Sequence, residues 1–443
     1  MHLPKLQLTK HLLVLVFIAN GFCTIGQESG SSGKVSSEGV LKSGPIVGHT
    51  TDHSAKIWTY APNASSIQIK YHPKNSSEDA KTVDVAFKPG AYNPAIAELT
   101  GLLTDQLYEY EVIVDGKPAA ISSFKTAPEP HKPVQFRYVV GSCVRIQRHP
   151  DQPVWDEVID LEPDLMVFGG DNVYADTTDR VGLWKRHLQQ RGVENYAKAL
   201  SSIPVRAIWD DHDYGPNNSD RTAAGKENSL QAFKEVWANP SYGTDNIPGI
   251  FHTFHWGDVQ FFMMDNRYNK GGGDYLGSAQ MNWLKEELGK STAVFKIIVH
   301  GGTIRRAGKE SWFETSPKEE KELLKYIQDN KLTGILFNGG DVHQNWYNPW
   351  PRCGSRDSYQ AFEIVSSGWT YNSEYVHFDV DTKSATPSMT YYFHKNSGVP
   401  QSGVFTLESD GKMKHQFIID DPEIVNCDTG SDPNPAYAFP TAY

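Results

Sequence analysis

From about Gly39 to Thr126 apolar and polar positions alternate in short runs, "SAKIWTYA", "SIQIKYH", "KTVDVAF", "LYEYEVIVDG" and "SSFKTAP", with clusters of Asn, Gly, Pro and Ser between them. A period of two puts alternate side chains on one face of a pleated strand, so each run predicts a half-buried β-strand. Short strands at this spacing predict a small β-sandwich. After the Pro-rich junction "APEPHKP" the pattern changes. Continuous apolar runs now alternate with longer amphipathic segments such as "PVWDEVIDLEPD", "SLQAFKEVWANP", "SAQMNWLKEELGK" and "SPKEEKELLKYIQDNK", which predicts an α/β domain.

The endings of the apolar runs carry the chemistry. "FRYVV" ends in "GSC", "LMVF" in "GGDNVYAD", "VRAIW" in "DDHDYG", "FKIIV" in "HGG" and "GILF" in "NGGDVHQ". A single strand that ends in a Gly-Asp turn is ordinary loop chemistry. Five such endings in one α/β domain are another matter, because ligand sites gather beyond the carboxyl ends of the strands. They deliver Cys143, Asp171, Asn172, Tyr174, Asp176, Asp210, Asp211, His212, Asp213, His300, Asp341 and His343 to one patch. So many carboxylates repel one another and take up protons unless cations neutralise them. Oxygen donors suit Ca²⁺ or Mg²⁺, imidazole widens the choice to Zn, Mn or Fe, and a tyrosinate or thiolate points to a strongly Lewis-acidic ion such as Fe³⁺. The mixed set predicts more than one metal.

A length of 443 residues predicts a large domain with a smaller companion. The 39% hydrophobic and 12% aromatic content excludes a fibrous or broadly disordered chain. With Lys+Arg 42 against Asp+Glu 53, duplex nucleic acid is excluded as a default partner, and an anionic substrate must be met by local positive charge. Near the start, Lys5 and Lys10 precede an apolar run from Leu12 to Ile18 and small residues at Thr24 and Gly26. That run falls short of the about 20 residues a membrane span needs, so it predicts a secretory signal cut after Gly26 and not a stable membrane span. In an oxidising compartment, Cys353 in "PRCGS" and Cys427 in "VNCDT" have turn-like surroundings that suit a bridge between them, although spacing does not fix the pairing. Cys143 is then left as a thiolate for a metal or as a small buried hydrophobe.

Taken in order, "GSC", "GGDNVYAD", "WDDHDYGPNNSD", "HGG" and "GGDVHQ" resemble the motifs of the PhoD-like branch of the calcineurin-like metallophosphoesterases, from about Gly39 to about Asp420. The resemblance implies a calcineurin-like metallophosphoesterase sandwich of α/β class behind an N-terminal fibronectin-like β-sandwich. In "LTGLLTDQLYEYEVIVDG" a tyrosine pair follows a Leu-rich turn, as at the tyrosine corner of such sandwiches. The implied division is 1–26 signal peptide, 27–38 linker, 39–127 sandwich, 134–420 catalytic domain and 421–443 tail.

The resemblance also implies roles. Asp171 would bridge two cations, and Cys143, Tyr174, Asp211, His300, Asp341 and His343 would complete the ligand set. Asn172 would hold the phosphate or a metal, and His212 would protonate the leaving group, the alternative for His212 being another metal ligand. Asn217 and Arg305, with Arg306 beside it, would meet the substrate, and Asp176 is read as a turn residue, the alternative being a carboxylate that orients a site residue from behind. The metals would be Fe³⁺ with Ca²⁺, with Zn²⁺, Mn²⁺ and Mg²⁺ also compatible. The implied activity is that of a secreted or periplasmic alkaline phosphatase D type enzyme, a phosphomonoesterase or phosphodiesterase. A metal-held hydroxide would attack phosphorus in line, in a small-molecule or cell-surface phosphoester. The alternative is a non-catalytic surface or adhesion protein whose metals staple its loops. Two departures from the family stand out: Lys5 and Lys10 replace the twin arginines typical of its signal peptides, and the tail "TGSDPNPAYAFPTAY" has no counterpart.

Overall fold

The computed structural model describes residues 41–306, 310–350, 361–395 and 402–418. The expected signal peptide, linker and tail, and Cys353 with Cys427, lie outside the described residues. Among the described residues, no helix is long and apolar enough to cross a membrane.

The alternating runs fold into β1 (Ser43–Thr50), β2 (Ser54–Tyr60), β3 (Ile67–Pro73), β4 (Lys81–Asp84), β5 (Ala95–Thr100), β6 (Leu107–Val114) and β7 (Lys117–Lys125). They form two antiparallel sheets, ordered β1-β2-β5 and β4-β3-β6-β7. In β6, Tyr108, Tyr110, Val112 and Val114 are buried against Ile57, Ile69, Leu99 and Phe124, while the residues between them are half exposed. At the turn before β6 the Leu103 N–H donates to the Tyr108 hydroxyl at 2.8 Å. This is the hydrogen bond that makes a tyrosine corner, and it ties the turn to the strand.

The rest of the chain builds β8 (Gln135–Gly141), β9 (Leu165–Gly169), β10 (Val205–Ile208), β11 (His252–Trp256), β12 (Val259–Met263), β13 (Phe295–Val299), β14 (Ile335–Gly339), β15 (Trp346–Trp350), β16 (Ala361–Val365), β17 (Val376–Asp381), β18 (Ser388–Phe393), β19 (Ser402–Leu407) and β20 (Met413–Ile418). They form a seven-stranded sheet, β10-β9-β8-β17-β18-β19-β20, and a six-stranded sheet, β11-β12-β13-β14-β16-β15. β8, β9 and β10 run parallel, as do β12, β13, β14 and β16. Strands such as β9, β13 and β14 are buried along their whole length, which is why they read as continuous apolar runs. The two sheets meet face to face: the Tyr138 ring of β8 lies 5.3 Å from Phe261 of β12 and 4.6 Å from Phe378 of β17. Helices cover the outside. Helix Ser278–Lys290 presents Met281, Leu284 and Leu288 at helical spacing to Phe262, Ile298 and Phe337.

The N-terminal sandwich is anchored to this core by buried polar contacts. The Arg206 guanidinium of β10, fully buried, donates to the carbonyls of Gly48 and Thr50 in β1 at 2.8 and 2.9 Å. The Trp58 indole donates to the Glu235 carbonyl at 2.7 Å.

Candidate metal centre

The strand ends predicted to converge do converge. A Cβ placed on Gly340, just past β14, would lie 2.5 Å from the Gly301 carbonyl, 2.8 Å from the Gly169 carbonyl and 2.9 Å from the Ser142 hydroxyl. The turns after β8, β9, β13 and β14 therefore touch through a glycine that has no room for a side chain. Around this seam Cys143, Asp171, Asp176, Asp341 and His343 all adopt left-handed backbone conformations, φ +51 to +72°. Non-glycine residues rarely do so, and such strain gathers at functional sites.

Asp171 is the hub. One carboxylate oxygen lies 3.4 Å from the Cys143 sulfur and 3.4 Å from the Tyr174 hydroxyl, and the other accepts the His212 N–H at 3.3 Å. The Tyr174 hydroxyl also meets His343 Nε2 at 2.9 Å. Donor atoms of Asp171, Asp211 and His212 lie within 4.8 Å of one another. Asp211 opens the short helix Asp211–Tyr214 and accepts the Asn218 N–H at 2.7 Å.

The electrostatics of this cluster call for cations. Burial, then the neighbouring Asp211, Asp210, Asp213 and Asp341, pushes the Asp171 carboxyl well above its usual range. Burial, then Asp171, likewise raises the Cys143 thiol, and burial, then Cys143 and Asp171, raises the Tyr174 phenol. Burial works against ionisation of Asp211 too, but the Arg267 guanidinium, His212 and the Asn218 N–H outweigh it and leave its carboxyl below the usual value. Buried oxygens of Asp211 (Oδ1) and Asn172 (Oδ1) accept no hydrogen bond. Thiol, phenol, carboxylates and imidazole packed this tightly, with acceptor oxygens unused, are a donor set that fits metal ions.

Asp176 takes the less favoured of its two expected roles. It is not merely a turn residue: its Oδ1 lies 2.5 Å from His212 Nδ1. The turn, with φ +53° at Asp176, brings the carboxylate to the ring. The opposite partner is the Tyr174 ring, whose centroid is 4.0 Å from that of His212. Asn172 spends its amide N–H on the Ile208 carbonyl at 2.7 Å, with the Asp213 carboxylate 3.3 Å away. Asp213 also accepts the backbone N–H groups of Asp210, Asn172 and Val173, and so joins the turns after β9 and β10 from behind the cluster. Burial pushes its carboxyl up to about 8 against those hydrogen bonds.

Other expected residues point elsewhere. His300 does not join the cluster, because both ring nitrogens are engaged, Nε2 with Glu363 and Nδ1 with the Tyr275 hydroxyl, each at 3.1 Å. Arg305 donates to Glu320 at 2.6 Å, whereas Arg306 stacks over Trp346 at 4.2 Å, near enough to Asp341 to feel its charge. Asn217 is exposed, and its neighbour Asn218 makes the contact to Asp211. The sequence reading missed Arg267, which is buried and ion-paired with Asp210, 3.5 Å from Asp211 and 3.2 Å from Glu310. Its signal was present in "FFMMDNR", another apolar run ending in polar residues, at the end of β12.

Two face-to-face mixed sheets with buried acids and half-buried imidazoles clustered at their strand ends define the class: an α/β protein built around a candidate metal centre. A family model described as PhoD-like phosphatase matches residues 183–416, more than half of the chain, and the chain belongs to that family. The match begins after Cys143, Asp171 and Tyr174, whose placement rests on the geometry above. A second model, a domain of unknown function (DUF7800), matches residues 38–132. Among solved structures the chain is similar to PhoD, with 16% identity, a TM-score of 0.70, and 85% of this chain and 92% of that chain covered. It is also similar to the purple acid phosphatase PPD1 from yellow lupin (Lupinus luteus) seeds, with 14% identity, a TM-score of 0.62, and 81% and 73% covered. At these identities the likeness is one of fold. No curated protein matched the chain.

Proposed function

We propose that this protein is a metal-dependent phosphoric ester hydrolase acting outside the cytoplasm on phosphomonoesters or phosphodiesters. The observation that carries the reading is the close packing of buried Asp171 and Asp211 with half-buried His212, and Asp176 behind the imidazole. Cys143, Asp171, Tyr174, Asp211, Asp341 and His343 would hold the cations, and the thiol and phenol among them favour Fe³⁺ with Ca²⁺. When bound, the cations supply Lewis acidity towards phosphoryl oxygens and lower the pKa of water. His212 is the chain's own acid. Asp176 accepts from Nδ1, the Tyr174 ring fixes the imidazole plane, and Nε2 is left to hand a proton to the departing oxygen. The signal-like apolar run at Leu12–Ile18 supports action outside the cytoplasm.

The direct test is hydrolysis of p-nitrophenyl phosphate and bis-p-nitrophenyl phosphate, with elemental analysis of the purified protein. At least one ester is expected to be cleaved, with loss of activity in chelator and recovery on adding metal back. Stoichiometric metal without cleavage of either ester would favour a metal-stapled surface protein.

Tyr174 gives a spectroscopic test of the iron assignment. A phenolate bound to Fe³⁺ absorbs visible light, so native protein is expected to be coloured and Tyr174→Phe to bleach it, because phenylalanine keeps the ring packed against His212 but removes the oxygen. Colourless, fully active protein containing only Zn, Ca or Mg would make Tyr174 a packing residue.

A further inference from the structure

We propose that Arg145 and Arg148 form a subsite for a second phosphoryl group, so that the site favours phosphoesters carrying one beyond the scissile phosphate. The proposal deepens the hydrolase reading and rests on it. Both arginines lie on the loop that leaves β8 directly after Cys143, in "CVRIQRHP". That loop is pinned to the cluster. The Val144 N–H donates to the Asp171 carbonyl at 2.8 Å, and the Arg145 N–H donates to the Thr370 hydroxyl at 2.8 Å.

The side chains form a wall beside the candidate ligands. The Arg145 guanidinium sits 4.7 Å from the centre of the Tyr174 ring and donates to the Tyr371 hydroxyl at 3.3 Å. Arg148 lies 5.7 Å from the Tyr371 ring. Tyr371 is in turn stacked on His343, with centroids 3.9 Å apart and planes 14° from parallel. Arg145 thus touches Tyr174 directly, and both arginines border Tyr371, which packs on His343, so the pair flanks the two residues whose polar atoms meet at the centre.

Their charge is unanswered. Arg137, Arg180, Arg267 and Arg305 each meet a carboxylate, whereas among the described residues neither Arg145 nor Arg148 forms an ion pair. The acid whose charge reaches Arg145, Asp176, is committed to His212, and Arg145 Nε is buried without a hydrogen-bond partner. In a chain of net charge −11, two unpaired guanidinium groups beside an acidic cluster are a place for an anion to bind. The planar fork of arginine matches phosphoryl oxygens in pairs, which favours a phosphoryl group as the occupant. A stacked nucleobase is disfavoured, because Tyr371 already packs against His343 and His149.

The test uses the metal-loaded full chain and two probes, inorganic phosphate and methylenediphosphonate, as competitors of p-nitrophenyl ester hydrolysis and as titrants in calorimetry. Methylenediphosphonate is expected to bind about tenfold more tightly than phosphate, the scale of one charge-assisted hydrogen-bonded contact. Arg148→Ala should remove most of that advantage and leave phosphate binding within about twofold, with Arg148→Lys restoring part of it. Arg145→Gln should act in the same direction. If Arg145→Gln does not fold, exposed Arg148 still decides. Equal affinity for the two probes in the parent, or an advantage unchanged by Arg148→Ala, overturns the subsite. If no ester is cleaved but calorimetry still records diphosphonate binding that depends on Arg148, the subsite stands and the hydrolase reading falls.

Discussion

Asp171→Asn is expected to abolish measurable cleavage of both p-nitrophenyl esters, a loss on the order of 10³-fold or more, and to lower the metal content of the purified protein. Asp171 is the group that touches Cys143, Tyr174 and the His212 backbone together, so it is placed to serve every cation the cluster holds. Losing Lewis acidity at such a site removes several kcal/mol of transition-state stabilisation. Asparagine keeps the size and the acceptor for the His212 N–H, so the turn should survive. Stability should move the other way. In metal-free protein, burial and the surrounding carboxylates raise the Asp171 carboxyl, and a carboxyl raised by folding weakens the fold as pH climbs above its unfolded value. Chelated Asp171→Asn should therefore melt at a higher temperature than the chelated parent at neutral pH, and the gap should close in acid. Full activity with normal metal content would remove Asp171 from the centre.

The ends of the buried strands were legible because a continuous apolar run stops abruptly where the backbone leaves the core. At "LMVFGGDNVYAD" the change from Phe168 to Gly169 marks that point, and Asp171 and Tyr174 are where the pattern put them. The sandwich was legible for the opposite reason, since one face of β6 is wet and the alternation shows. Which way a side chain turns was not legible. His300 follows its strand as expected, yet its ring is claimed by Glu363 on β16 and Tyr275 on a loop, partners that no motif contains. Asp176 has the backbone of a turn residue, but its role depends on His212, which lies far along the chain. Asn217 and Asn218 are indistinguishable in "GPNNSD", and only the left-handed backbone at Asn218, φ +62°, separates the one that caps Asp211. Arg267 was overlooked because its strand ends without glycine, although the same apolar-to-polar change is present.

His212→Ala is expected to lower turnover by about 10²–10⁴-fold while the protein keeps its metal. The leaving group distinguishes the proton donor from a ligand. p-Nitrophenolate departs readily without a proton, whereas an alkoxide does not, so an alkyl phosphoester should suffer far more from the loss of His212 than the p-nitrophenyl ester of the same phosphate. A lost metal ligand would slow both esters in step and show as missing metal. Asp176→Asn provides the second arm. The amide oxygen can still accept from Nδ1 and hold the ring against Tyr174, but it lacks the carboxylate's charge. Its defect should be smaller than that of His212→Ala, biased in the same direction towards the alkyl ester, and without effect on metal content. Equal losses for the two esters in both variants would make His212 a ligand and Asp176 the residue that orients it, as carboxylates behind metal-bound imidazoles do.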